Sequence, residues 1–134
     1  MLQKSVLLCV TSLSWLRHAK KAFQARRWLF GTWTSVCSVT SLNLWRNYNA
    51  NSLRRTADIF VARSTGVYYA CLLVRRFRQL NIVDRWIDLF CTVFTNMCYF
   101  LSSVVYCEYD DIALICHTWF HVGVYKIQGR LLNV

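Results

Sequence analysis

Residues 89–107, LFCTVFTNMCYFLSSVVYC, form an uncharged apolar segment that decides the expected fold. A helix needs about 20 apolar residues to cross a bilayer. The segment lacks the two-residue alternation that transmembrane strands show over about 9–11 residues. The chain also has no proline and only four glycines, so little in it interrupts a helix. The segment therefore predicts a membrane-spanning helix, which Trp86 and Ile87 extend and at whose end Asp88 lies.

Three further apolar segments have the same character. The clearest is 28–45, WLFGTWTSVCSVTSLNLW, which is uncharged and lies between Arg27 and Arg46. Two weaker segments follow, and either spans the membrane, lies in its interface or forms a buried helix. We therefore expect an all-α, multi-span membrane protein with about 2–4 transmembrane helices, built as one domain over residues 1–134. The predicted spans are 28–45, 59–74, 86–107 and 112–125. Residues 1–27 form a basic segment, for which we expect an amphipathic or interfacial helix.

The composition excludes several other classes of protein. Of 134 residues, 56% are hydrophobic and only 16% are charged, with 16 Lys and Arg against 6 Asp and Glu. This apolar content excludes a disordered chain, and the length excludes a two-domain enzyme. The net charge of +10 raises the possibility of nucleic-acid binding. However, stacking on bases requires exposed aromatic side chains beside a basic face, and the aromatic residues here lie within apolar segments. We expect no nucleic-acid partner.

The basic residues are distributed as the positive-inside rule predicts for four spans. Segments 17–27, 75–85 and 126–130 would share one side of the membrane and carry eleven basic residues. The opposite side would receive the three arginines of segment 46–55 and the acidic turn 108–111. Those three arginines fit the rule least well.

The N-terminal part of the chain contains no acidic residue before Asp58. A basic, serine-rich and acid-free N-terminus is typical of a mitochondrial transit peptide. The same charges would also serve as the flanking charges of membrane helices, and the two interpretations are compatible. A secretory signal over residues 5–16 is disfavoured, because the basic cluster at 17–21 is a poor cleavage site. We therefore expect the mitochondrial inner membrane as the location.

His117 and His121 stand one helical turn apart in the last apolar segment and project from one face. This spacing is found in zinc-binding helices, but zinc needs three or four ligands. Cys116 points away on a regular helix, and the one other histidine, His18, lies in the basic N-terminal segment. We therefore expect no metal and no cofactor, with the two histidines in a polar contact. A metal- or haem-binding redox component is kept as an alternative.

A short basic cluster beside the second predicted span suggests lipid binding. Arg75, Arg76 and Arg78 are suited to the head groups of anionic phospholipids, cardiolipin included. Tryptophans such as Trp28 and Trp45, at the ends of a predicted span, commonly lie at head-group level. We predict these five residues as the lipid-binding set. The alternative is that the arginines only set the topology.

Two carboxylates precede the strongest apolar segment. Asp84 and Asp88 are four residues apart, and we expect Arg78 and Arg85 to neutralise them at a charged helix end. A proton relay is the alternative, because an intramembrane carboxylate is costly unless it has a function.

The sequence contains no phosphate-binding glycine loop and no nucleophile motif, so we expect a protein that is not an enzyme. The favoured function is an accessory subunit of a multi-subunit mitochondrial inner-membrane complex, such as a respiratory-chain or ATP-synthase assembly. It would act by helix packing and lipid binding, with other subunits as partners. A free-standing membrane-remodelling or pore-forming protein is the alternative from another class.

Overall fold

The computed structural model describes residues 2–46, 53–105 and 110–132. Within these ranges all regular secondary structure is α-helical, which confirms the all-α part of the predicted fold class but does not confirm the predicted multiple membrane spans. The helices are α1 (Leu2–Gln24), α2 (Trp28–Arg46), α3 (Leu53–Phe77), α4 (Ile82–Val105) and α5 (Asp110–Leu132).

Local capping interactions define two of the helix boundaries. Arg26 has a φ of 57°, and the amide of Arg27 donates to the carbonyl of Ala22 at 2.8 Å. This left-handed residue after the last turn ends α1 in a Schellman motif. At the start of α4, the Asn81 side chain accepts from the amide of Asp84 at 2.9 Å and donates to its carboxylate at 3.0 Å. Asn81 is thus the N-cap of α4.

The contacts between helices give an alternating up-and-down bundle. Ser12 contacts Ser41 across α1 and α2, and Thr34 contacts Tyr69 across α2 and α3, so each of these pairs is antiparallel. The contact of Ser102 with His117 shows the same for α4 and α5. In contrast, α1 and α5 run parallel, since Thr11 and Trp15 contact His121 while Arg27 contacts Leu131.

This alternation gives the bundle two distinct ends. The basic end contains the α1–α2 and α3–α4 connections and the last turn of α5. The histidine end contains the start of α1, the end of α2 and the start of α3, together with the end of α4 and the start of α5. The basic segments 17–27, 75–85 and 126–130 all lie at or near the basic end.

The first helix belongs to the bundle. The sequence predicted an amphipathic or interfacial helix over residues 1–27, and α1 is a helix that packs along α2 and α5. Its buried residues are Leu8, Ser12, Trp15, His18, Ala19 and Ala22. Apart from the adjacent pair His18 and Ala19, these residues recur at intervals of three or four, so they form one buried stripe along the helix.

Among the described residues, one helix, α3, is long and apolar enough to cross a membrane by length and composition. Little of its apolar window is buried inside the bundle. The predicted spans 28–45, 59–74, 86–107 and 112–125 coincide broadly with α2, α3, α4 and α5, but their crossing of a membrane remains a proposal.

Gly123 allows α4 and α5 to approach each other closely. A Cβ atom at this position would overlap the hydroxyl oxygen of Thr95 and lie 3.0 Å from its Cβ, a contact tighter than most real Cβ atoms make. Thr95 is β-branched, and its hydroxyl donates to the carbonyl of Cys91 at 2.6 Å, so its side chain cannot easily move away. A glycine at this position therefore sets the separation of the two helices.

We expect Gly123→Ala to lower the free energy of unfolding by about 1–3 kcal/mol, the usual cost of overpacking a close contact. The matched control is Gly66→Ala in α3, where an added Cβ would meet nothing within 4 Å. That control should be neutral or stabilising by up to about 1 kcal/mol through helix propensity. Chemical unfolding in mixed micelles, followed by circular dichroism, measures both. Equal effects of the two substitutions would show that α4 and α5 do not meet at Gly123.

Candidate functional site: the polar interior of the bundle

Hydroxyl groups join α1 to α2 in the interior. Ser38 donates to the backbone carbonyl of Ser12 at 2.6 Å, and the Ser12 and Ser41 hydroxyl oxygens lie 3.1 Å apart. All three serines are buried. Small side chains let two helix backbones approach, and their hydroxyls then supply interhelical hydrogen bonds.

A second set of polar contacts joins α2, α3 and α5. The Thr34 and Tyr69 hydroxyl oxygens lie 2.6 Å apart, and the Gln128 amide donates to the same Tyr69 oxygen at 3.1 Å. All three side chains are buried. Tyr69 therefore connects three helices through one oxygen atom.

Two histidines and two tryptophans pack together near the histidine end, and we call Trp15, Trp45, His117 and His121 the histidine cluster. The Trp15 indole donates to the backbone carbonyl of His121 at 3.2 Å, and their ring centroids lie 4.6 Å apart. The His117 ring lies 4.9 Å from both the Trp45 ring and the His121 ring. The sequence predicted correctly that the two histidines lie on one helix face. Their contacts with α1 and α2 join residues far apart along the chain, so the spacing of the histidines did not reveal these contacts.

The histidine ring nitrogens face hydroxyl groups. His121 Nδ1 lies 2.9 Å from the Thr11 hydroxyl, and His117 Nδ1 lies 3.4 Å from the Ser102 hydroxyl. In the part of the chain that the structure describes, no three His, Cys, Asp or Glu residues are placed to hold a metal ion together. The chemistry that this arrangement supports best is hydrogen bonding between helices.

Four charged residues form an ion-pair cluster at the basic end: Arg76, Asp84, Asp88 and Arg130. Arg130 donates to the carboxylates of both Asp88 and Asp84, the latter at 2.9 Å. Arg76 Nε lies 3.3 Å from the buried Asp88 carboxylate. The cluster thus ties α3 and α5 to the first turns of α4.

The cations that neutralise the two carboxylates differ from those expected. The sequence predicted Arg78 and Arg85 from proximity along the chain, but the structure uses Arg76 and Arg130. The hydrogen bond from Arg130 is the main cause that holds the pKa of Asp84 below its usual value. Arg85 donates instead to the carbonyl of Leu80 at 2.9 Å. Arg130 lies on α5, far along the chain from Asp84 and Asp88, so the spacing of residues in the sequence could not identify it as their partner.

The predicted lipid-binding residues lie in different environments. Arg75, Arg78 and Trp28 are exposed at the basic end. The Arg76 side chain is only 11% exposed, because it turns inward to Asp88. Trp45 is buried against Leu8 and Leu44 near the histidine end. Lipid contact of the five residues stays a prediction. The exposed positions of Arg75, Arg78 and Trp28 favour it, whereas the inward positions of Arg76 and Trp45 do not.

Two cavities adjoin along α3. The smaller has a volume of about 220 Å³ and lies beside the histidine cluster, while the larger has about 510 Å³. Both are lined by Arg63, Tyr99 and Phe120, so they meet there. They separate α3 from α4 and α5 over much of its length. No sequence pattern indicated this space.

No family model matches the chain, and no curated protein or solved structure matches it either.

Removal of the buried ion pair should destabilise the bundle. We expect Asp88→Asn to lower the free energy of unfolding by about 2–3 kcal/mol, because the buried guanidinium of Arg76 loses its partner and Arg130 loses one of two. The effects of Arg130→Gln and Asp88→Asn should be coupled. The double variant should therefore lose less free energy of unfolding than the two single variants lose together. The control is Asp84→Asn, whose carboxylate is 37% exposed and should matter much less. Chemical unfolding in micelles measures these free energies. If the losses of the two single variants add up in the double variant, Asp88 and Arg130 are not paired.

His18 should make stability depend on pH. Burial, followed by the charges of Lys21 and Arg17, lowers the pKa of His18 from its ordinary value of 6.5. The ring packs 4.2 Å from that of Tyr125 on α5. Between the folded and unfolded pKa values the unfolded chain binds more protons, so acid favours unfolding. This stabilising contribution is present above pH 6.5 and is lost as the pH falls below it.

We expect thermal stability in micelles to decrease from pH 7 to pH 5 less steeply in His18→Gln than in the original chain. Melting temperatures at matched ionic strength measure the effect. Parallel pH profiles of the two proteins would show that His18 does not contribute.

Proposed function

We propose that the chain is a membrane-embedded helical bundle without catalytic activity, which acts by helix packing and lipid binding. As its setting we propose a multi-subunit complex of the mitochondrial inner membrane, such as a respiratory-chain or ATP-synthase assembly, in which it is an accessory subunit.

The observation that carries this proposal is the inverted polarity of the bundle. Ser12, Gln128 and His121 are buried, whereas Phe60, Phe90 and Phe100 are 69%, 68% and 66% exposed. A soluble protein places its polar side chains outward and does not expose large contiguous apolar surfaces. In a bilayer the surroundings are as apolar as leucine, and polar groups between helices hold them together.

The outer face of α4 supports the same conclusion. Six of its exposed apolar residues follow helical spacing and form one continuous stripe: Val83, Trp86, Phe90, Val93, Met97 and Phe100. The total accessible surface of 8805 Å² also exceeds the roughly 7,300 Å² typical of a soluble monomer of this mass. A surface of this kind needs lipid or a neighbouring subunit to cover it.

The distribution of charge supports a defined orientation. Alternation of the helices brings the basic segments 17–27, 75–85 and 126–130 to the same end of the bundle. Under the positive-inside rule this end would face the compartment from which the chain inserts. The exposed residues Arg75, Arg78 and Trp28 at this end would contact anionic head groups, with cardiolipin as the mitochondrial candidate. The acid-free stretch before Asp58 supports mitochondrial import.

Fractionation of the source cells tests the proposal. We expect the chain in mitochondrial inner membranes, resistant to alkaline carbonate extraction and released by mild detergent as part of a larger assembly. Release by carbonate would contradict membrane embedding, because it removes proteins that are not embedded in the bilayer. Recovery from detergent as a lone monomer would contradict the subunit role.

The same purified material separates the alternatives. A free-standing membrane-remodelling or pore-forming protein would assemble with itself and release dye from liposomes without partners. A redox component using His117 and His121 would carry a metal or absorb visible light. We expect no dye release and a colourless, metal-free sample.

A further inference from the structure

The smaller cavity contains a buried carboxylate with an unsatisfied oxygen. Asp58 is 8% exposed and lines this cavity, and its Oδ1 has no hydrogen-bond partner. A buried carboxylate oxygen without a donor is costly, so a donor is expected at this position. Aromatic side chains of Trp15, Trp45 and Tyr99 form other parts of the wall. A carboxylate together with aromatic rings suits an ammonium group.

The same cavity also presents positive charge. Arg63 lies where the two cavities meet, and Arg55 lines the smaller one. Guanidinium groups suit phosphate oxygens, which accept two parallel hydrogen bonds from them. Asp58 and Arg63 are five residues apart on α3, so their Cα atoms are separated by about 7.5 Å along the helix. The cavity therefore offers separate sites for a positive and a negative group of one ligand.

The larger cavity is mainly apolar and continues away from these charges. Its wall includes Leu73, Val124 and Ile127, and small residues at Gly66 and Ala70 leave space beside α3. From Arg63 to Leu73 the helix rises about 15 Å, which leaves room for a large part of an acyl chain beyond the charged residues. Asp58 is the sixth residue of α3, so the charged part lies near a helix end and the apolar part extends toward its middle and beyond.

We propose that the two adjoining cavities bind one zwitterionic phospholipid with a primary ammonium, of the phosphatidylethanolamine class. Its ammonium donates to Asp58, its phosphate accepts from Arg63, and an acyl chain fills the larger cavity. This rests on the proposed membrane location. An anionic lipid without an ammonium would leave Asp58 unsatisfied and would place like charges together. A small amine would leave the larger cavity empty.

Lipid retention by the detergent-purified protein tests the proposal. The full-length chain is equilibrated with mixed micelles containing equal amounts of phosphatidylethanolamine, phosphatidylcholine and phosphatidylglycerol, and native mass spectrometry counts the lipid that stays bound. We expect phosphatidylethanolamine to be preferred about tenfold over phosphatidylcholine, the size of effect that one charge-assisted hydrogen bond gives. Choline carries no proton that Asp58 can accept.

Two substitutions then separate the contributions of the head group. Asp58→Asn should remove the preference for phosphatidylethanolamine over phosphatidylcholine. Arg63→Gln, at an exposed position that should not affect folding, should reduce the binding of both lipids together. Preference for phosphatidylglycerol in the original chain would overturn the proposal, as would an unchanged lipid profile in Asp58→Asn.

The acyl-chain site is tested by filling it. Gly66→Trp places a large side chain where an added Cβ meets nothing within 4 Å, and it should reduce retention of all three lipids. The control is Cys71→Phe, an exposed position on α3 outside the wall of either cavity, which should retain lipid normally. Equal retention by both variants would exclude the larger cavity as the acyl-chain site.

Failure of the lipid site can be told apart from failure of the proposed membrane location. A carbonate-resistant protein without lipid preference contradicts only the lipid site. A protein released by carbonate contradicts the membrane location and the lipid site with it.

Discussion

The bundle depends on polar contacts that are made between helices. Ser12 with Ser38, Tyr69 with Gln128, and Trp15 with His121 join α1, α2, α3 and α5 in the interior. Helices surrounded by lipid gain little from burying leucine, so close packing and hydrogen bonds must hold them together. Under the proposed membrane location, these contacts would explain why serine, threonine and histidine occupy positions that leucine or valine would fill in a soluble bundle. The apolar side chains are left to the outer surface.

The ion-pair cluster provides the corresponding restraint at the basic end. Asp88 lies between Arg76 at the end of α3 and Arg130 near the end of α5. A buried carboxylate is tolerated only with such partners, and its removal leaves two guanidinium groups incompletely paired. The cluster therefore fixes α3 at this end, although α3 makes few contacts with α5 and lies apart from α4 in the middle of the bundle. Because α3 is tied to α4 and α5 at the basic end and lies apart from α4 in the middle, the two cavities remain open beside it.

The helices themselves could be predicted from sequence, because uninterrupted apolar segments without proline leave few other structures for the chain. The packing of α1 in the bundle was not predicted from sequence, because its buried residues Trp15, Ala19 and Ala22 are interspersed with basic residues that drew attention to charge. A test for helical periodicity over residues 8–22 would have indicated a buried stripe. Trp15, which contacts His121, and Arg130, which contacts Asp88, lie 106 and 42 residues away from them along the chain, and no spacing rule identifies contacts at such distances.

The weak packing of α3 against α4 and α5 would have a physical meaning in a membrane. In water, a large apolar gap between helices would collapse or fill with solvent at a cost, because interiors pack as densely as organic crystals. In a bilayer, an acyl chain can occupy the same space and restore the missing contacts without any change of backbone. Lipid would then contribute to the bundle as a side chain does, and Asp58 and Arg63 would select which lipid contributes. The separation of α3 from α4 and α5 would thus depend on the composition of the surrounding membrane, while protein contacts hold α3 to α2.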